Sequence, residues 1–345
     1  MMNPTLTLVL FCLLCLAILS LPFIPAVNEW RSPADCSPLP IARQYANEID
    51  FFSRKFRNDV VAHIALDQAS PTKFDYVPES ADQMNWLDGL HPIIGRQPIR
   101  SGSSIRCNRP LYVDGDLECG RDSSFVAMLC GGGIQLGPYS EVLEWAHADG
   151  LIQLDTACVA LRRLSSNIAV ELAAQCCFER ISAPVIRFGH RGNDVPAPEA
   201  FGYFPADLGT LPGAIRRTDS LTLIKGDCTL PAGHIYKGSL VVTGRLIIGN
   251  HTTVIGDIKV REGIIVGNAA RIIGSLICEE RIYLLDHTEV AGPLISETDI
   301  VLGAGAVIGR IDAPTTISAE NIIAKSGAVS HGSIWARNVG FVWAS

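Results

Sequence analysis

The sequence predicts a mostly β fold, a three-sided parallel β-helix in which each turn of the chain holds three short strands. Apolar residues return every 18 positions near the C-terminus, and the repeat is rich in β-branched residues and glycine. A fixed period too short for a helix pair indicates a solenoid whose turns stack on one another. The columns are Leu230, Ile248, Val266, Leu284 and Leu302; Leu246, Ile264, Ile282 and Ile300; Leu240, Ile258, Leu276 and Leu294; and Tyr236, Val254, Ile272 and Val290.

Alternation inside each repeat predicts which side chains point inward. Ile258 and Val260 flank Lys259, so the two apolar residues are expected in the interior and the lysine outside. One position is always small, which suits a narrow corner of the β-helix. Its members are Thr252, Ala270, Thr288 and Ala306.

A fainter copy of the pattern appears earlier in the chain. It predicts a first β-helical block over residues 105–188 and a second over 219–345, with a linker rich in proline and glycine at 189–218. Whether the two blocks stack into one rod stays open at this point. The earlier columns are Leu136, Leu154 and Leu172; Ser140, Cys158 and Cys176; and Val142, Ala160 and Phe178.

The N-terminus predicts a membrane anchor at residues 1–28. The stretch from Leu6 to Val27 carries no charge, and about 20 apolar residues suffice to cross a bilayer. A cleaved signal peptide normally has a lysine or arginine before its apolar stretch. No such residue precedes Leu6. The basic residues follow the span, which predicts a single-pass membrane protein with its bulk in the cytoplasm. They are Arg31, Arg43, Arg54, Lys55 and Arg57.

A membrane-proximal module is expected at residues 29–104. Apolar residues at spacings of three and four predict one amphipathic helix over 41–66. Two roles are open for it: a cap on the first turn of the β-helix, or contact with the membrane surface through its basic residues. The apolar positions are Tyr45, Ile49, Phe52, Phe56, Val60 and Ile64.

Composition narrows the range of functions. The chain has 11 cysteines, an odd number that mostly falls at strand positions, and this indicates buried free thiols. A net charge of −7 without a basic stripe argues against nucleic acid as a partner. The cysteines lack metal-site spacing, and we expect no cofactor and no metal.

Enzymes with related repeats supply the main alternative. Hexapeptide-repeat acyltransferases form trimers and use a histidine as general base, and Ile248-Gly249, Val266-Gly267 and Leu302-Gly303 fit their repeat on one face of three. His251 and His287 follow these corners, and the sequence pattern identifies neither an orienting group nor a substrate cleft. Pectate-lyase-like β-helices have longer, less regular turns. We therefore predict no catalytic residue and no enzymatic activity.

The segment between Gly238 and Leu284 resembles the bactofilins, polymer-forming cytoskeletal proteins of bacteria. The resemblance rests on motifs such as Val254-Ile255-Gly256-Asp257-Ile258 and Ile272-Ile273-Gly274-Ser275-Leu276. It covers residues 220–340 well and 105–188 loosely. It implies a right-handed β-helix that assembles end to end, without nucleotide, at the cytoplasmic face of the membrane. The chain departs from the family in having two blocks and a membrane-proximal module.

We accordingly expect a membrane-anchored structural scaffold whose partners are further copies of itself, the bilayer through Leu6 to Val27, and cell-envelope proteins. The last turn is apolar, which predicts end contacts between copies or a cap. The alternatives are the acyltransferase with a histidine base and a secreted or periplasmic β-helix. The expected contact residues are Ile334, Trp335, Phe341, Val342 and Trp343.

Overall fold

The computed structural model describes residues 4–23, 49–65, 73–78, 84–189 and 204–344. The chain forms two compact units, residues 1–48 and 49–345. The N-terminal unit contains helix α1 (Pro4–Ser20), followed by a 3₁₀ turn at Leu21–Phe23. Among the described helices, none combines the length and the apolar character needed to cross a membrane. Residues 24–27 of the expected span lie outside the described residues.

The second unit is a β-solenoid of about 14 turns with about 18 residues each, which confirms the predicted fold class. Its 31 described strands form one continuous sheet, and nearly all neighbours pair in parallel. The first block begins at β1 and β2, upstream of the expected boundary at residue 105. Its strands are β1 Asp75–Tyr76, β2 Ile93–Gly95, β3 Ile99–Ser101, β4 Arg106–Val113, β5 Leu117–Cys119, β6 Ser124–Cys130, β7 Ile134–Leu136, β8 Glu141–Ala148, β9 Ile152–Leu154, β10 Val159–Ser166, β11 Ala169–Leu172 and β12 Cys177–Phe188.

The second block starts at β13, so two strands and a 3₁₀ turn (Leu208–Thr210) lie inside the segment expected to be a linker. Residues 190–203 lie outside the described part. The strands are β13 Phe204–Ala206, β14 Ala214–Thr218, β15 Leu221–Ile224, β16 Cys228–Leu230, β17 His234–Lys237, β18 Ser239–Val242, β19 Leu246–Ile248, β20 Thr253–Ile255, β21 Ile258–Val260, β22 Ile264–Val266, β23 Arg271–Ile273, β24 Leu276–Cys278, β25 Ile282–Leu284, β26 Glu289–Val290, β27 Leu294–Ser296, β28 Asp299–Leu302, β29 Val307–Ile308, β30 Thr315–Lys325 and β31 Val329–Trp343.

The strands stack into three flat faces, and the predicted columns are confirmed as ladders of paired residues. Face 1 contains the ladder of Leu240 and Ile258, face 2 that of Tyr236 and Val254, and face 3 that of Leu246. Every member of these columns is at most 2% exposed. The stacked interior therefore forms one apolar core that extends from Ile93 to Val342, and its burial is the main source of stability.

The corner between faces 3 and 2 explains the small residues in the repeat. Thr252 and Ala270 are fully buried there. The residue before each adopts a left-handed backbone, with φ of 55° at His251 and 52° at Ala269. This conformation turns the chain sharply and leaves little room behind the turn. A small side chain is therefore required at each of these positions.

The two blocks meet tail to tail. Strand β12, the last of the first block, pairs antiparallel with β31, the last of the second block, along all three faces. Both blocks therefore belong to one solenoid, and the chain direction reverses at the joint. The two outer ends of the solenoid are consequently the first turns of the two blocks.

Helix α2 (Phe51–Ala65) is the amphipathic helix expected over 41–66; residues 41–48 lie outside the described part. Phe56 and Val60 are buried against the outer surface of face 1 in the first block, next to Leu129 and Trp145. Of the two roles left open for it, the helix does not take that of a cap on the first turn, because it packs on the side of several turns. Contact with the membrane surface through its basic residues stays a prediction. The helix hides apolar side chains that the sheet would otherwise present to water.

Candidate interaction surface

The five residues expected to form assembly contacts all lie in β31, at the joint between the blocks. Ile334 and Val342 are fully buried, and Ile334 lies opposite Ile181 of the first block. Along one edge of β31, the backbone N–H and C=O groups pair with those of β12 in the same chain. End contacts between copies through this strand stay a prediction, and they would require the β12–β31 ladder to open. The five residues are Ile334, Trp335, Phe341, Val342 and Trp343.

Both outer ends of the solenoid carry segments that pack on the core. At the start of the second block, Leu208 is buried and β14 pairs antiparallel with β15. The outermost strand β14 carries the exposed residues Arg216 and Arg217, and charge on an edge strand disfavours pairing with another chain. At the start of the first block, three half-buried residues pack on the core: Val77, Met84 and Trp86.

An apolar row runs along the outside of face 3 of the solenoid, and we call it the face-3 row. Its residues lie opposite one another in successive ladder pairs, so the row continues across the joint from the second block into the first. Its eight residues are separated by seven spacings of about 4.8 Å, so the row is about 34 Å long. The row consists of Ile247, Ile265, Tyr283, Val301, Ile323, Phe341, Cys177 and Val159.

The exposed end of this row lies in the second block. Ile247, Ile265 and Tyr283 are 46%, 42% and 37% exposed, and Thr229 precedes them in the ladder. Trp343 contacts Phe341 edge to face, with ring centroids 6.0 Å apart, and is itself 56% exposed. A contiguous exposed apolar surface of this kind is a candidate interaction site.

A comparable apolar surface on the outside of the first block is covered by a helix. There, Ile94, Leu129 and Trp145 form an apolar outer surface on face 1, and helix α2 covers them with Phe56 and Val60. No described segment packs in this way on the face-3 row of the second block. Among the described residues, the face-3 row therefore has no helix like the one that covers the outer surface of face 1.

Ion pairs of both signs border the row. In the turns that lead into face 3, Arg281 Nε lies 2.7 Å from Asp299 Oδ2 and Arg261 Nε lies 3.6 Å from Glu279 Oε2. Each pair joins neighbouring turns of the solenoid. The surface is thus an uncharged apolar band beside a border with balanced charge.

The histidines of the acyltransferase alternative lie at corners between faces 3 and 2. His251 and His287 both adopt left-handed backbone conformations there. The Nδ1 atom of His287 is buried without a hydrogen-bond partner in the described chain. A general base needs a group that orients its imidazole, so His287 lacks this feature of such a site.

A serine, a histidine and an aspartate do come together beneath helix α2. His147 Nδ1 lies 2.8 Å from Ser165 Oγ, and His147 Nε2 lies 3.5 Å from Asp149 Oδ1. Asp149 also accepts two hydrogen bonds of 2.8 Å from Arg57 of the helix. Burial lowers the pKa of His147, with Asp149 opposing this effect. Since Ser165 is only 6% exposed, the arrangement fastens the helix to face 1 and offers no access to a substrate.

The thiols in the solenoid are mostly buried and protonated. Burial raises the pKa of Cys119 to about 12 and that of Cys228 to about 11. In the described part of the chain, no group of three or more histidine, cysteine, aspartate or glutamate side chains is placed to hold a metal ion.

No family model, curated protein or solved structure matches the chain.

Sequence reasoning missed the face-3 row because it followed the inward columns. The signal was present at the intervening positions, where Ile247, Ile265 and Tyr283 recur every 18 residues. An outward position of a strand normally carries a polar residue. A repeated apolar residue there was the sign of an exposed apolar row.

Proposed function

We propose that this chain is a structural scaffold protein that associates with further copies of itself through the face-3 row. It is bactofilin-like in being a β-solenoid used for assembly and in having no enzymatic activity. The observation that carries the proposal is the uncovered apolar row that crosses the joint between the blocks. Contacts through the side of the solenoid leave both covered ends and the β12–β31 ladder undisturbed.

A second copy is the occupant that fits this surface best. The row is flat and straight, and two sheets pack face to face about 10 Å apart when both present apolar side chains. A two-fold axis would bring the same row of each copy together. The ion pairs Arg261–Glu279 and Arg281–Asp299 give the border both signs of charge. An identical border on the partner therefore does not impose a net repulsion.

We further propose that the N-terminal segment keeps this scaffold at the bacterial inner membrane, with the solenoid in the cytoplasm. The support is the uncharged stretch from Leu6 to Val27, followed by basic residues. Cell-envelope proteins are then the expected clients. Protease treatment of spheroplasts tests this proposal: the solenoid should stay intact, and its digestion would contradict a cytoplasmic location.

Sedimentation velocity of the full chain in a neutral detergent tests the self-association. We expect dimers or larger assemblies, and Ile265→Glu should shift them to monomers at the same concentration because a carboxylate would be buried in the contact. Ile273→Glu is the matched control, since Ile273 is 52% exposed on face 2, close to the 42% of Ile265. Its assemblies should stay intact.

Two results would contradict the proposal. One is a wild-type chain that stays monomeric at high concentration. The other is an assembly that Ile265→Glu and Ile273→Glu leave equally unchanged. A discrete trimer that binds acyl-CoA and survives Ile265→Glu would favour the acyltransferase alternative instead.

A further inference from the structure

Two arginines stand next to each other on the outer surface of face 1, close to the joint. Arg163 of β10 pairs with Arg180 of β12, and Arg180 pairs with Trp335 of β31. Trp145 of β8 precedes Arg163 in the same ladder. The four side chains therefore form one outward column, with two cations between two tryptophans.

Aromatic rings hold both guanidinium groups in place. Arg180 Cζ lies 4.1 Å from the centroid of the Trp335 ring, and Arg163 Cζ lies 4.6 Å from the centroid of the Phe52 ring in helix α2. Such stacking fixes the plane of a guanidinium and leaves its edge available for hydrogen bonds. The aromatic rings thus order the two guanidinium groups.

The local charge is positive although the chain as a whole is acidic. Arg162 adds a third cation, while Glu179 Oε1 lies 3.9 Å from Arg180 Nε, too far for a hydrogen bond. Burial lowers the pKa of Arg163, and the like charge of Arg180 lowers it further. Arg163 Nη1 and Arg180 Nε are buried donors without a partner among the described residues.

Hydroxyl groups line the same surface beside the arginines. Ser165 and Ser182 follow Arg163 and Arg180 by two residues, so they point outward on the neighbouring ladder. Ser182 Oγ lies 3.3 Å from Ser333 Oγ of the second block. Guanidinium groups beside hydroxyls form the donor set that phosphate oxygens accept.

We propose that Arg163 and Arg180 bind a phosphate group at the joint, with Ser182 and Ser333 as further donors and Phe52 and Trp335 as side walls. A phosphate ester fits better than a single carboxylate because it offers enough charge and oxygen atoms for both guanidinium groups. The phosphate belongs either to a soluble metabolite or to a lipid headgroup. The site joins both blocks and helix α2, and it does not rest on self-association.

Calorimetry of the full chain in a neutral detergent with inorganic phosphate and pyrophosphate tests the site. We expect saturable binding that Arg163→Gln with Arg180→Gln weakens at least about tenfold, the loss of at least one charge-assisted contact. Arg100→Gln with Arg121→Gln removes the same charge from exposed positions elsewhere on the solenoid and should leave binding unchanged. Arg180→Lys keeps the charge without the planar fork and should give an intermediate affinity.

Flotation with vesicles distinguishes the two sources. Phosphatidylcholine vesicles with and without phosphatidylglycerol are compared for the wild-type chain and both double variants. Extra binding to the anionic vesicles that only Arg163→Gln with Arg180→Gln abolishes assigns a lipid headgroup, whereas binding of the soluble anions alone assigns a metabolite. The proposal is overturned if neither probe binds, or if both double variants behave alike. Thermal unfolding of each variant shows that the solenoid remains folded.

Discussion

Ile181, in the last strand of the first block, lies opposite Ile334 in the last strand of the second block, and both side chains are fully buried. This antiparallel pair marks the centre of the solenoid. On either side of it, parallel turns lead outward to the first turn of each block. In two separate β-helices, the C-terminal turns would be free ends. Here the last strands of the two blocks pair with each other and form an internal joint.

The joint should contribute strongly to stability. Replacing Ile334 by alanine removes buried methyl groups and leaves a cavity, which typically costs about 2–5 kcal/mol. The free energy of unfolding from urea titration measures this loss. Val339→Ala, in the same strand at a position 38% exposed, should change it by less than about 0.5 kcal/mol. Similar effects of the two changes would contradict a buried joint.

The ion pair between Arg57 and Asp149 should hold helix α2 on face 1. Because both side chains are about one-third exposed, we expect Arg57→Ala to cost only about 1 kcal/mol. Hydrogen exchange of the helix amides should become faster. Arg54→Ala provides the control, since its partner Asp50 lies one turn away in the same segment. Equal exchange in both variants would show that the Arg57–Asp149 contact does not fasten the helix.

Close stacking should make one glycine corner intolerant of a side chain. A Cβ atom on Gly274 would overlap the carbonyl oxygen of Gly256 in the turn below, whereas a Cβ on Gly102 would meet nothing within 4 Å. We expect Gly274→Ala to lower the free energy of unfolding by about 1–3 kcal/mol and Gly102→Ala to leave it nearly unchanged. Chemical denaturation of both variants checks this, and a neutral Gly274→Ala would contradict the stacking.

Buried thiols should make the solenoid less stable in alkali. Burial raises the pKa of Cys119 and Cys228 in the folded state, so an unfolded chain loses these two protons first as the pH rises. The contribution of the Cys119 thiol to the free energy of unfolding is fully present below its ordinary pKa of 9.0. It is lost as the pH rises toward the folded-state pKa of about 12. Urea unfolding between pH 8 and about 11 should show a smaller decline for Cys119→Ala than for wild type. An identical decline would contradict this account.

The sequence predicted the interior of the solenoid well, because inward columns such as that of Leu240 repeat at the spacing of the turns. It also predicted the helix around Phe56, from apolar residues at helical spacing. The tail-to-tail joint could not be predicted from the sequence, because the antiparallel pairing of Ile181 with Ile334 leaves no repeat there. The grouping of Arg163, Arg180 and Trp335 depends on that joint and was equally hidden.

Photo-cross-linking through the face-3 row tests the central claim, self-association through this surface, most directly. A photoreactive amino acid replaces Ile265 in an equimolar mixture of isotopically light and heavy full chains, and mass spectrometry identifies mixed-isotope products. The account predicts cross-links from position 265 to the face-3 row of a second copy, and far fewer from the same group at position 273. Cross-links confined to single chains, or equal yields at both positions, would contradict it.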